Sequence, residues 1–165
     1  MTTPLTKEEI TAFVGPNADH YFSRWTPLIQ GQNWTSFNWA AFFLTGIWLL
    51  YRKMYKPALI FFGIIILESI LEWSVFGDET PRGLERLVGL TAAIVCGAYG
   101  NRWYLAHATK VIVQVRAQDL PGNAFMDAIS KRGGTSVGAA LGFFAACVAL
   151  IFLACFALKL CSHGQ

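Results

Sequence analysis

The stretch Asn38 to Tyr55, NWAAFFLTGIWLLYRKMY, sets the terms for the whole chain. Its apolar and aromatic residues run directly into Arg52, Lys53 and Lys56. A segment suited to hydrocarbon is thereby joined to cations suited to the cytoplasmic face of a bilayer. Longer apolar runs follow it, and a small amphipathic region precedes it. The chain has 55% hydrophobic residues, a mean hydropathy of +0.44 and only 14% charged residues. A soluble domain carries about 25% charge, so the make-up points to an integral membrane protein of one domain. Six tryptophans and 15% aromatics suit a chain with two membrane interfaces to populate. The net charge of +3 comes from Lys and Arg beside apolar runs. That is a topology signal, and nucleic acid is not an expected partner.

Residues 1–35 read as amphipathic helices that lie on the membrane or dock against the cytoplasmic ends of the spans. Thr6 and Glu9 have capping-box spacing, ahead of Ile10, Phe13 and Val14, and Gly15-Pro16 ends that helix. A second helix starts from Asn17 as N-cap and carries the stripe Tyr21, Phe22, Trp25, Leu28 and Ile29. Lys7, Glu8, Glu9, Asp19 and Arg24 interrupt this region, so no cleavable signal peptide is expected. Asn33-Trp34-Thr35 matches a glycosylation acceptor formally, a weak three-residue match.

The membrane domain, 36–160, divides into apolar segments 36–51, 57–76, 84–106 and 136–160, a cytoplasmic amphipathic connector 107–135, and a tail 161–165. The 84–106 helix continues out of the membrane to Gln118, where Leu120-Pro121-Gly122 breaks it. Asn123 then caps a short helix ended by Gly133-Gly134. Segment 36–51 spans only about 24 Å as a straight helix, against a hydrocarbon core of about 30 Å, and Gly46 divides it.

Two threadings follow. In the first, four full spans place Arg52, Lys53, Lys56, Arg102, Lys110, Arg116, Lys131 and Arg132 inside, with Lys7, Arg24, Arg82, Arg86 and Lys159 outside. In the second, 36–51 re-enters as a short hairpin and three full transmembrane helices follow. Lys7 and Arg24 then move inside and only Arg82, Arg86 and Lys159 stay outside, a better fit to the positive-inside rule. The expected class is therefore an all-α, multi-pass protein with three full spans plus a re-entrant fourth segment, the alternative being four full spans.

NWAAFF followed by WLLYRKMY resembles the bacterial family called domain of unknown function 2628 (DUF2628). Phe13-Val14-Gly15, Tyr21, Trp25 and Gly100-Asn101-Arg102-Trp103-Tyr104 are similar to it too, so the likeness covers roughly residues 10–110. The family has Gly-Pro where this chain has Gly46-Ile47. The resemblance implies a small inner (plasma) membrane protein and brings no activity, cofactor or catalytic residue with it.

The sharpest chemical signal is Glu68 with Glu72, at i and i+4 on one face of the 57–76 helix. An intramembrane carboxylate is costly and marks a functional candidate, a proton or cation site. The competing reading pairs them with Arg86 or Arg102, or keeps them protonated. Small residues form two stripes, Gly89, Ala93 and Gly97, then Gly134, Gly138, Gly142 and Ala146. Such stripes let helix backbones approach closely, either within the chain or against a second copy or another membrane protein. Arg52, Lys53, Lys56, Trp103 and Tyr104 are expected as membrane-interface anchors. His20, His107 and His163 lack ligand spacing, and Cys96, Cys147, Cys155 and Cys161 form no CxxC pair, so no metal or other cofactor is expected. Arg132-Gly133-Gly134-Thr135-Ser136 lacks the full phosphate-loop pattern and reads as a cap and hinge. A non-enzymatic accessory, assembly or scaffold protein is the expected function, with the lipid bilayer as first partner. The alternative is an ion- or proton-coupled carrier using Glu68 and Glu72.

Overall fold

The computed structural model describes residues 4–32, 36–77 and 81–163; of Arg82 and of residues 150–163 other than Phe152 only the backbone is described. The Asn33-Trp34-Thr35 match and the side chains of Cys155, Cys161 and His163 therefore lie outside the described residues. Seven helices and no strand are found among them: α1 (Lys7–Val14), α2 (Ala18–Ile29), α3 (Trp39–Tyr51), α4 (Tyr55–Phe76), α5 (Arg82–Arg116), α6 (Gly122–Arg132) and α7 (Val137–His163).

The N-terminal helices form for local reasons. Thr6 Oγ1 accepts from the Glu9 N–H at 3.3 Å, and the Glu9 carboxylate accepts from the Thr6 N–H at 2.8 Å, which closes the capping box. Gly15, with φ of 78°, then ends α1. In α2, Tyr21 and Trp25 are buried one turn apart, while Asn17 makes no side-chain cap bond. These helices bury their apolar stripe against the C-terminal half of α5 and against α6. Phe13, Tyr21, Trp25, Tyr104, Ile112, Val115 and Ile129 make one core there.

α3 is not a straight helix. Thr45 sits at φ 44°, ψ −121°, so two short helical halves meet at an abrupt bend. Asn38 at the entry donates its N–H to Gly97 O at 2.8 Å, and its Nδ2 to Asn101 Oδ1 at 2.8 Å. At the exit, the Arg52 guanidinium lies 4.9 Å from the centre of the Tyr104 ring. Asn101 and Tyr104 are only about 4.5 Å apart along α5, whereas a straight helix from Asn38 to Arg52 would run about 21 Å. The segment therefore leaves α5 and comes back to it. Gly46 lies at the bend because a Cβ there would meet Phe62 Cζ at 2.6 Å and Phe61 Cδ1 at 2.7 Å.

Among the described residues, two stretches are long and apolar enough to cross a membrane, fewer than the three or four expected. One is Tyr55–Phe76, with mean hydropathy of 2.0 over its best window. The other is counted from Gly122 to Ala149, with 1.2; the chain bends within it at Gly133–Ser136, so its apolar part is α7. The expected 84–106 span falls short because it is the front half of a 35-residue helix with Arg82, Glu85 and Arg86 at one end and Asn101 and Arg102 inside. That half still shows bare apolar side chains at Leu87, Leu90 and Ile94.

The three long helices diverge. Among the described residues, α4, α5 and α7 nowhere bring their backbones within 8 Å of one another. α3 touches all three and is the junction between them. The Phe62 and Phe143 rings, with centres 4.4 Å apart, link α4 with α7 directly.

Candidate functional site

Two places gather polar or charged groups that a packed helical protein does not need. The first is the junction under the hairpin. Asn101 has its Oδ1 facing Asn38 and donates Nδ2 to Ser36 O at 2.9 Å and to Ser36 Oγ at 2.8 Å. Its backbone carbonyl accepts from Trp25 Nε1 at 3.2 Å. Asn38 uses its remaining oxygen to cap Ala41 N–H at 3.0 Å. One buried amide pair thus ties α2, α3 and α5 together, with its polar atoms matched as burial requires.

Beside it lies Arg52, only 4% exposed. Its guanidinium stacks over Tyr21 at 4.8 Å, Tyr104 at 4.9 Å and Tyr51 at 5.4 Å. Nη2 donates to Tyr21 Oη at 3.0 Å, while Nε and Nη1, and the Tyr104 hydroxyl, are buried without a hydrogen-bond partner. No carboxylate pairs with Arg52 among the described residues, where the ion pair formed is Arg116 with Glu9. Aromatic faces stand in for an acid here, and each face offers roughly 1–2 kcal/mol when desolvated. Burial pushes the Tyr104 phenol up to about 12, so it stays a neutral wall of this cage.

Arg52 and Tyr104, expected as interface anchors, are both buried within the protein. Each faces the hairpin and α2 rather than the outside, because the α3 bend brings Arg52 back over α5. Lys56 is exposed, and Lys53 and Trp103 are half-buried. Lys53 Nζ donates to Lys131 O at 3.0 Å and so ties the hairpin exit to the end of α6.

The second place is an open cleft of about 350 Å³ between α4 and α5, lined by Ile65, Glu68, Ser69, Glu72, Trp73, Glu85, Val88 and Gly89. Glu68 and Glu72 share a face, as their spacing implies, and both turn toward α5. Glu85 joins them there, a third carboxylate that the linear pattern did not single out. Glu72 Oε1 is buried without a partner. Neither acid forms an ion pair with Arg86 or Arg102; Arg86 is exposed, and Arg102 lies about four turns further along α5, outside the cleft lining.

The small-residue stripes do not meet. Gly97 is closed over by the Phe37 ring, whereas Gly89, Gly138 and Gly142 face open space. Ala93 is half-buried, and Gly134 belongs to the turn before α7 at φ 73°. That turn is held by Gly134 N–H donating to Phe13 O at 2.6 Å and Ser136 N–H donating to Tyr51 O at 2.8 Å, and Ser136 Oγ caps α7 by accepting from Ala139 N–H at 3.2 Å. Among the described residues no three His, Cys, Asp or Glu side chains could hold a metal ion together.

The groups at the junction come from the segments that carry a family likeness. Residues 7–110 match a family described as "Protein of unknown function (DUF2628)", and the chain belongs to that family. No curated protein and no solved structure matches the chain.

Proposed function

We propose that this DUF2628 protein is a multi-pass protein of the bacterial inner membrane that does no enzymatic chemistry and works as an accessory, assembly or scaffold subunit. Its spans are α4, the half of α5 before Asn101, and α7, with α3 entering the bilayer and returning. The observation that carries the reading is the bare apolar surface of the long helices beside a well-packed basic layer. On α4, Leu59 is 76% exposed and Trp73 68%, and the one buried side chain is Ala58. Lipid satisfies such surfaces, and a helix bonds its own backbone groups internally except at its ends. Lys7, Arg24, Arg52, Lys53, Lys56, Arg102, Lys110, Arg116, Lys131 and Arg132 all belong to the layer or its junction, which makes that side cytoplasmic. Helices that diverge this far leave room between them for a partner's helices, and Gly138 and Gly142 lie on such an open face.

The test is cysteine accessibility in intact cells, with the four native cysteines replaced and single cysteines placed at Glu8, Pro81 and Ser162. The expected outcome is labelling by an impermeant maleimide at Pro81 and Ser162, with Glu8 protected until the cells are opened. Labelling at Glu8 in intact cells would sink the hairpin threading.

A second reading has its own observation, the convergence of Glu68, Glu72 and Glu85 on one cleft. An ion- or proton-coupled carrier needs acids that can take up a proton or cation within the span. Complementation of a deletion strain separates the two readings. Glu68→Gln should preserve a scaffold and abolish a coupled carrier.

A further inference from the structure

A second cleft, of about 410 Å³, opens between the C-terminal half of α2 and the entry to the hairpin, lined by Ser23, Arg24, Pro27, Gln32 and Ser36. Arg24 is held in place by donating Nη1 to Phe37 O at 3.2 Å. No carboxylate pairs with it among the described residues, so the rest of its donor fork is available to the cleft. Ser36 Oγ accepts from Asn101 Nδ2, which fixes the hydroxyl and leaves its hydrogen free to donate. The cleft thus presents a positive charge and hydroxyl and amide donors, with no acidic side chain among the described residues that line it.

The chain that leaves this cleft forms an aromatic face. Phe37 and Trp39 rings are 4.7 Å apart, Trp39 and Phe42 5.9 Å, and Phe42 and Phe43 5.0 Å. Trp39 is 63% exposed and Phe43 73%. Polar donors and a bare aromatic wall therefore adjoin along one short segment. A guanidinium fork matches phosphate oxygens in geometry and charge. One such group in water holds a free phosphate poorly, but a phosphate that carries acyl chains gains the aromatic wall as well.

We infer that this cleft binds the phosphate of an anionic glycerophospholipid, whose acyl chains run along Trp39, Phe42 and Phe43. The inference rests on the proposed membrane placement and adds a ligand class to it. A bound lipid there wedges between α2 and the hairpin, and it fastens the amphipathic layer to the cytoplasmic leaflet, whose anionic headgroups attract the basic layer.

The test is native mass spectrometry of the full-length protein extracted in mild detergent, with added phosphatidylglycerol, phosphatidylcholine or inorganic phosphate. Fractionation of the cells before extraction checks the membrane placement by itself. A chain that is absent from the membrane fraction overturns that placement and this inference with it. For a chain in the membrane, phosphatidylglycerol should be retained about tenfold better than phosphatidylcholine. Arg24→Gln keeps a donor for Phe37 O and removes the charge, and it should lower that retention about tenfold, the worth of one charge-assisted contact. Ser23→Trp fills the exposed rim and should do the same, while Arg86→Gln should leave retention unchanged. Both cleft variants should keep the wild-type melting temperature without added lipid. Equal retention of the two lipids, or retention unaffected by Arg24→Gln, overturns the inference. Displacement of the lipid by millimolar inorganic phosphate also overturns it, in favour of a free-anion site.

Discussion

The layer built from α1, α2, α6 and the far half of α5 is the more polar part of the chain, yet it holds most of the buried core. α4, α7 and the near half of α5 are the more apolar part, and among the described residues they bury almost nothing. Trp25, Phe13 and Tyr104 have no exposed surface, whereas Ile64, Leu67 and Ile70 on α4 are each more than half exposed. In water that inversion would be unstable, because burial follows apolar area. It is the distribution expected of helices solvated by lipid and anchored on a layer that faces water. On the proposed membrane placement the difference says where stability resides: the layer is held by side-chain packing, the long helices by the lipid around them.

The sharpest way to break the comparison is a matched pair of truncations. Trp25→Ala removes a fully buried indole and its bond to Asn101 O, and should cost about 4 kcal/mol in reversible unfolding. Leu67→Ala, on a residue 57% exposed, should cost less than about 0.5 kcal/mol, since lipid replaces what is lost. Equal losses would mean that α4 packs against protein. Next in size is Asn101→Leu. It leaves Asn38 Nδ2 and Ser36 O buried without their partner, at about 2–3 kcal/mol together. It should also free the hairpin entry, so that a cysteine at Trp39 reacts faster with maleimide than in the parent.

Much of this was legible in the chain, for physical reasons that can be traced. The Thr6–Glu9 box and the Gly15-Pro16 stop depend on neighbours in sequence, and both are where spacing puts them. That the helix begun near residue 84 runs on without a break past 107 was readable too, and α5 continues to Arg116. The family likeness at Asn38 and at Gly100–Tyr104 was readable as well, but not that these two segments face each other. That contact depends on the bend in α3, and without the bend Arg52 looks like an anchor for lipid headgroups. Glu85 was missed because nothing local separates it from the other charges at the start of α5. It matters only once α4 lies opposite.

The bend itself gives a smaller prediction. Gly46 marks it in the sequence, yet the residue with positive φ is Thr45, a β-branched residue at φ 44°. Such strain costs about 1–3 kcal/mol. Glycine at the same place would lose about 0.5–1 kcal/mol of chain entropy in exchange. Thr45→Gly should therefore stabilise the fold by about 1 kcal/mol, seen as a raised melting temperature. A lowered one would show that the Thr45 side chain makes a contact worth more than the strain.

The smallest effect separates the layer from the spans by pH, because the resolved titrating groups outside the spans lie in the layer. Burial pushes the His107 imidazole below its ordinary value of 6.5, and Lys110 pushes it the same way. The unfolded chain then takes up a proton at His107 before the folded chain does. Stability is full above pH 6.5 and declines as pH falls below it. Glu9 behaves differently in origin. Burial alone would raise its carboxyl, but the Arg116 guanidinium and the Thr6 N–H outweigh that and hold it below its ordinary value of 4.5. Its contribution is present above pH 4.5 and is lost as pH falls through the lowered folded value. Acid should thus loosen the layer in two windows, the first beginning near pH 6.5 and the second near pH 4.5. Burial, with Arg24 and Arg52, lowers His20 on α2 as well. His107→Gln together with His20→Gln should therefore remove only the first window, and Glu9→Gln only the second, in melting curves taken from pH 8 to pH 3. Hydrogen exchange should rise on α1, where Glu9 and Phe13 lie, while α4 stays unchanged. Simultaneous loosening of α4 would mean that layer and spans unfold as one unit, and the division between them would not describe how this protein is held together.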